Sequence, residues 1–439
     1  MKLLIKNGHI INEDESFQAD ILCEGGKITQ ISKHIDQQLI DCDFIDARGK
    51  YLLPGGIDPH VHFHLPTKAG FSSDDFLSGS KAALFSGTTS IIDFVTPKKG
   101  QKLPDALKER LIEAKSCRCN YSFHISPIEW RDSLKEEISY CINKGYRTFK
   151  VYMAYKDSIG LDDSSLKKVM KVVAAEGGTI TVHCEMGDEI EALRNKFISE
   201  NKTSVEYHPL SRPNDTESRA VKKALELAKE ASCPIYIVHV STKESLRYIK
   251  QAKKLGQEVY AETCPQYLLL NDTKYIGDFY DTAKYVMSPP LRKEDDNLAL
   301  WEALGDGTID TMGTDHCPFS QSQKNNGHND FRKIPNGAGG VEHRLKLLYT
   351  YGVLTSKITI NQFVALTSTN AARIFGMLPD KGIIKVGADA DITIWNPEAN
   401  STISGKNHFS RCDLEIYEGY TVKGNADFTI LGGELKKSP

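Results

Sequence analysis

Residues 54–62 read PGGIDPHVH, and the fold turns on how that stretch ends. After the Gly55-Gly56 break a short apolar run opens, and His60 and His62 follow two positions apart. In extended chain, residues two apart face the same side, so both imidazoles can grip one ion from a single strand end. A lone His-x-His pair is weak, because surface strands carry such pairs by chance. Four more residues of ligand type, however, each end or interrupt an apolar, strand-like run: Lys150 in TFKVYM, His183 in ITVHC, His239 in IYIVHVS and Asp315 in TMGTDHC. Spread over 256 positions, the six meet only in a fold that gathers many strand ends into one ring. The eight-stranded parallel α/β barrel does so, with its active site at the C-terminal rim. Four histidines, a lysine and an aspartate suffice for two metal ions sharing one activated water. The chain reads as a metallohydrolase.

The surrounding sequence agrees. Strand-like and helical patterns alternate from residue 54 to 385, the mark of βα units. Eight candidate strands are present: GGIDPHV, TTSIIDFV, YSFHIS, RTFKVYM, TITVHC, PIYIVHVS, EVYAETC and IDTMGTD. Helices are predicted in DDFLSGSKAALFSG and in DDSSLKKVMKVVAAEGG, the latter stopping at Gly177. Another, after His239, is capped at Ser241 with Glu244 at capping-box spacing, and INQFVALTSTNAARIFG supplies a last one. Residues 1–53 and 386–439 instead read as short strands and hairpin turns such as Asn7-Gly8 and Gly25-Gly26. The expectation is a (β/α)8 TIM-type barrel over 54–385, inserted into a small β-sandwich domain built from both termini, 1–53 plus 386–439.

Composition excludes other classes. A chain of 439 residues with net charge −3 has no basic excess to drive binding to nucleic acid or an anionic membrane. The start, MKLLIKNGHIINEDE, lacks the apolar region of a signal peptide, and no run approaches a membrane span. Ten cysteines in this length is no disulfide framework, and Cys117 and Cys119 are too close in sequence to bridge well. A reduced, cytoplasmic protein is expected.

The lysine is the unusual ligand. Burial of Lys150 should push its ammonium towards the neutral amine, which can capture CO2 as a carbamate and so bridge two cations. Snorkelling or a salt bridge is the plainer reading of such a lysine. His183 and His239, at consecutive strand ends, suit zinc. Asp315 can ligate and also accept a proton from the activated water. His124, His208, His328 and His408 read as core or surface residues, and His316 as a neighbour of the site.

With these residues in place, the chain resembles the cyclic amidohydrolases of the amidohydrolase superfamily, specifically the dihydropyrimidinase/hydantoinase group. The matching blocks are PGGIDPHVH, GTTSIIDF, FKVYMAYKD, YIVHVS, ETCPQYL, SPPLR, GTDHCPF, KIPNGAGGVEHR and GADADITIWNP, in order from about residue 50 to 396. The resemblance implies two Zn2+ ions, with Mn2+ or Co2+ as other divalent candidates. His60, His62, Lys150 (as N6-carboxylysine) and Asp315 would hold one ion; Lys150, His183 and His239 would hold the other. It implies a metal-bridging hydroxide attacking a ring amide of a dihydropyrimidine or 5-substituted hydantoin, with Asp315 as proton shuttle and an N-carbamoyl amino acid as product. Tyr155 would donate to the oxyanion, and main-chain groups near Ser288 and Asn336 would read the cyclic ureide. Phe63, Leu65, Tyr152, Ile159 and Cys317 would line the pocket.

Allantoinase and dihydroorotase are the near alternatives. Dihydroorotases typically carry arginine at the position of His64 and asparagine where this chain reads DFVTPKKG, and both are absent here. A non-catalytic scaffold, known among relatives that have lost ligands, is disfavoured because all six ligand positions and Tyr155 are filled. The resemblance also implies a homotetramer, but the chain stops at Pro439, soon after its last strand, so a homodimer is the other expectation.

Overall fold

Eight parallel strands stand side by side in chain order: β1 (Gly56–Asp58), β2 (Thr88–Val95), β3 (Asn120–Ile125), β4 (Thr148–Tyr152), β5 (Thr179–His183), β6 (Ile235–Ile237), β7 (Val259–Thr263) and β8 (Thr311–Met312). They come from a computed structural model that describes residues 2–37 and 41–436. Beyond the short last strand the ring closes: Val61 bridges His316 in parallel, and the His62 N–H donates to the His316 carbonyl at 2.9 Å. All eight residues of β2 are buried, as expected for a parallel strand covered on both faces. Each of the eight predicted runs overlaps one of these strands.

The helices follow from their caps. Phe76–Phe85 starts at Asp75, whose carboxylate accepts from Ser78 N–H while the Ser78 hydroxyl returns to the Asp75 N–H. Asp162 caps Asp163–Ala175, and Gly177 ends that turn with φ +73°. The helix after His239 runs Lys243–Lys254 and is capped by Thr242 rather than by Ser241 as expected. Ser241 is instead drawn to the buried Glu217 carboxylate, to which both its N–H and hydroxyl donate. The last predicted helix spans Ile360–Ile374, with a π-helical stretch at Ala365–Thr369.

Strands from both ends of the described chain share one further sheet. Its order is Glu434–Lys436, Thr421–Leu431, Ile392–Thr402, Tyr51–Pro54, Lys2–Ile11, Ser16–Glu24 and Lys27–Ser32, with Asp43–Asp46 also paired to Lys2–Ile11. Tyr51–Pro54 is the hinge of this arrangement, parallel to Lys2–Ile11 on one side and antiparallel to Ile392–Thr402 on the other. Ile5, Ile10, Ile21, Leu52, Ile392, Ile394 and Ile430 form the core of this smaller domain. Met1 and residues 437–439, the outer ends of the expected domain, lie outside the described residues. All ten cysteines are free, Cys117 and Cys119 with sulfurs 3.7 Å apart. Among the described residues no helix is long and apolar enough to cross a membrane.

One buried cation ties the ends of the ring. Arg344, fully buried, donates from Nη1 to the carbonyls of Ile57 in β1 (2.8 Å) and Met312 in β8 (2.6 Å). Arg344→Met strips both carbonyls of a charged donor, at a cost on the order of 3 kcal/mol. Urea unfolding followed by circular dichroism should show the midpoint fall; an unchanged midpoint would mean the ring closes without this tie.

Candidate metal centre

The rim brings the six expected ligands together. His60 Nε2 and His62 Nε2 lie 3.3 Å apart, and Asp315 Oδ1 sits 3.3 Å from the first and 3.1 Å from the second. Across the ring, His183 Nδ1 faces His239 Nε2 at 2.9 Å. The two groups are continuous, because the His60 and His239 rings stack with centroids 5.4 Å apart. Lys150 projects into the same space from β4. Its Nζ lies 5.0 Å from the centre of the Phe94 ring and 5.1 Å from that of Tyr152, with no carboxylate in salt-bridge reach among the described residues. The salt-bridge and snorkelling readings of Lys150 are thereby removed, since the residue is 1% exposed.

The outer ring atoms of His60 and His183 are anchored, and so is the His239 main chain. His60 Nδ1 donates to Glu262 Oε1 at 2.7 Å, and the same oxygen accepts the His239 N–H at 3.2 Å. Tyr236 donates its hydroxyl to the other oxygen, Oε2, at 2.7 Å. Gly313 makes room for this carboxylate, because a Cβ there would come within 2.6 Å of it. His183 Nε2 is held by Glu185 at 2.7 Å, and the buried Arg212 guanidinium closes on the same oxygen. Carboxylates behind ligating histidines fix ring orientation and tautomer. Neither Glu262 nor Glu185 was singled out by the sequence reading. The available signal was an acid at the end of a buried apolar strand, as in VYAET, where a charge is costly unless paired.

Protonation suits ligation. Burial pushes His60, His183 and His239 below the ordinary imidazole range, leaving them neutral. Burial also lowers Lys150, to about 8, which brings the free amine within reach near neutral pH. For Asp315, burial raises the carboxyl, but His60, His62 and Lys150 outweigh it and hold the group ionised. Three neutral imidazoles, the His62 ring, an ionised carboxylate and a lysine with a depressed pKa fit a pair of divalent cations of zinc type.

Around this cluster the expected substrate groups separate. Tyr155 packs against His183, ring centroids 5.4 Å apart, in the left-handed region at φ 59°. Burial raises its phenol, so it stays a donor, and the Ser288 hydroxyl interacts with it. Asn336 Nδ2 donates to Ser288 Oγ at 2.8 Å, which joins the two loops expected to read the ring. Lys324, buried and overlooked in the sequence, locks these loops together. Its Nζ donates to the carbonyls of Val286, Pro335 and Gly337 at 2.8–2.9 Å. Cys317 is buried and meets the same segment by main chain, its N–H donating to Ala338. Tyr152 lies beside His183 and Tyr155, and Leu65 is half-buried on the rim loop. Phe63 departs from expectation. It is fully buried, edge-on to Phe76 and closely covered by Gly79, so it packs the barrel wall rather than a pocket. His316 bridges Asp74 and the N–H groups of Gly340 and Val341 behind Asp315.

Comparison with known proteins agrees with this geometry. Residues 51–436 match the model of the Amidohydrolase family. The chain is 40% identical over 438 residues to a D-hydantoinase of Geobacillus stearothermophilus, covering 99% of this chain and 93% of that protein. A dihydropyrimidinase of Rattus norvegicus is 39% identical over 442 residues, 99% of this chain and 85% of that one. In three dimensions, the dihydropyrimidinase from Brevibacillus agri NCHU1002 superposes with a TM-score of 0.98 at 40% identity, over 100% of this chain and 96% of that one. The chain belongs to the amidohydrolase family, within its hydantoinase and dihydropyrimidinase group.

Glu262→Ala should leave the ligands in place but free two of their anchors. Loss of such outer partners lowers metal affinity about 10–100-fold. Zinc titration of the metal-stripped chain measures this, and an unaltered affinity would reduce Glu262 to a packing group.

Proposed function

We propose that this protein hydrolyses the ring amide of a cyclic ureide, a dihydropyrimidine or a 5-substituted hydantoin, to the N-carbamoyl amino acid. The observation that carries the reading is the convergence of six ligand-type side chains beside the Tyr155–Ser288–Asn336 loop pair. The relatives' names support the substrate class. His60, His62, Lys150 and Asp315 would hold one zinc ion, and Lys150, His183 and His239 the other. When bound, the ions supply Lewis acidity towards a water and the ring carbonyl.

The chain's own residues account for the rest. The neutral Lys150 amine adds to CO2 and loses a proton to solvent, which gives a carbamate whose two oxygens replace one nitrogen as donors. Asp315, ionised between two imidazoles, takes the proton of the attacking water and returns it to the departing ring nitrogen. Tyr155 donates from its phenol to the carbonyl oxygen as negative charge develops there. Ser288 and Asn336, fixed to each other and held by the Lys324 tripod, position the ureide for attack. Rigid placement of this kind needs the ring of hydrogen bonds behind it as much as the contacting groups.

Dihydroorotate would demand a cation for its free carboxylate at the position of His64. That ring stacks on Phe71, centroids 4.0 Å apart, and faces Glu113 at 3.7 Å. An acidic neighbour is the wrong partner for a substrate carboxylate.

Ring opening of dihydrouracil, a 5-substituted hydantoin, allantoin and dihydroorotate by the zinc-loaded enzyme tests the assignment. Turnover of either of the first two is expected, and turnover of dihydroorotate alone would overturn it. Lys150→Ala should bind one metal fewer and lose nearly all activity; full metal content with normal turnover would remove the bridging role. Tyr155→Phe should keep both metals while kcat falls on the order of 100-fold, as for loss of an oxyanion donor. An unchanged kcat would exclude Tyr155 from the chemistry.

A further inference from the structure

A second cluster of ligand-type side chains lies where the smaller domain's long loop meets the barrel. His343, at the end of the segment that carries Asn336, faces His408 and Glu415 from the loop between Ile392–Thr402 and Thr421–Leu431. One donor atom from each lies within 4.8 Å of the other two. His343 Nε2 is 2.9 Å from Glu415 Oε2, and His408 Nδ1 is 3.4 Å from the same oxygen. Tetrahedral zinc with bonds of about 2.0–2.1 Å sets its ligands roughly 3.3 Å apart, close to the 3.4 Å of His408, whereas the 2.9 Å contact of His343 is of hydrogen-bond length. The side chains are 7–8% exposed.

Two of the three outer atoms are committed, while His343 Nδ1 is buried without a hydrogen-bond partner. His408 Nε2 donates to the Cys412 carbonyl at 2.7 Å, and Glu415 Oε1 accepts the Tyr417 N–H at 2.8 Å. Because a carbonyl only accepts, the proton of a neutral His408 must sit on Nε2. Its Nδ1 lone pair then points at a carboxylate oxygen, a repulsive contact unless a cation stands between them. Glu342 adds a second buried carboxylate beside the cluster, its Oε2 occupied by the Phe409 N–H. A cavity of about 10 Å³, lined by His343, His408, Glu415 and Glu342 among others, leaves room for one further small ligand. A proton on His408 would also supply the missing charge, and Glu415 beside it raises its affinity for one. A neutral His343 can carry its own proton on Nε2 towards the same oxygen, so a count of bound metal tells the ion and the proton apart.

We propose that His343, His408 and Glu415 form a third, structural site for a divalent transition ion such as zinc, with a water in the cavity as fourth ligand. Such an ion would staple the loop of the smaller domain to the barrel segment that carries Asn336, without touching the hydrolytic centre. The site stands apart from the functional reading above and does not depend on it.

Equilibrium dialysis of the full chain against Zn2+, with metal counted per chain, is the test. The unaltered chain should saturate with one ion more than Glu415→Gln and one more than His408→Ala, both of which keep their ring-opening activity. Lys150→Ala should retain this extra ion, which separates the site from the hydrolytic centre. Equal stoichiometry in the unaltered chain and the Glu415 and His408 variants would overturn the proposal. So would saturation of the unaltered chain at the same count as the hydrolytic centre alone, a result that requires no variant to fold.

Discussion

A buried carboxylate with three donors is the constraint on which the rim depends. Glu262, at the end of β7, accepts from the His60 ring, the His239 main chain and the Tyr236 hydroxyl, and so binds β1 and β6 to its own strand. Burial raises its carboxyl to about 7, a sign of how much the charged form needs those partners. Uncompensated, an ion in such a place costs several kcal/mol. With the donors supplied, the same charge orients the His60 imidazole in one half of the cluster and pins the His239 main chain in the other. The glycine at position 313 belongs to the same device, since any side chain there would occupy the carboxylate's space.

Strain gathers at this rim as well. Tyr155, His239 and Asp315 all adopt positive φ, at 59°, 39° and 52°, a region that costs a non-glycine residue on the order of 1–3 kcal/mol. Each is the point at which a strand has just ended and the chain must turn its side chain back over the ring. Regular strand geometry would send alternate residues into the wall or the interior. The left-handed turn redirects them to the mouth, and the hydrogen-bonded rim holds them there.

The barrel was legible because its strands are marked at their ends: an apolar run that stops at His183, His239 or Asp315 announces both a strand and a use for it. The expected ligand positions come from the same signal, and Lys150 stands out as a cation inside an apolar run. The supporting shell was hidden, for two reasons. Glu262 and Glu185 look like ordinary acids until their partners are known, and Lys324 looks like a solvated lysine until three carbonyls close on it. Their contacts join segments far apart in the chain, and local patterns carry no record of such pairings. Phe63 was misplaced by its neighbourhood, because it sits one position after a ligand yet alternation turns its ring into the wall. Ser241 was displaced from its cap by Glu217, a tertiary contact that outcompeted a good local motif.

The pairing of the chain's two ends in one sheet also sets a timetable. Lys50, beside the hinge strand, meets its ion-pair partner Asp427 across 377 residues of sequence. At about 5–20 residues per second of synthesis, that gap corresponds to roughly 20–75 s. For most of that interval Tyr51–Pro54 has been made but lacks Ile392–Thr402, the strand that will cover its open edge, and exposed strand edges invite pairing with other chains. The nascent barrel must therefore mature beside an unfinished sheet. His62 and His316, whose hydrogen bond closes the ring, are both made before the last strands, which bring Ile392, Ile394 and Ile430 to the core of the smaller domain.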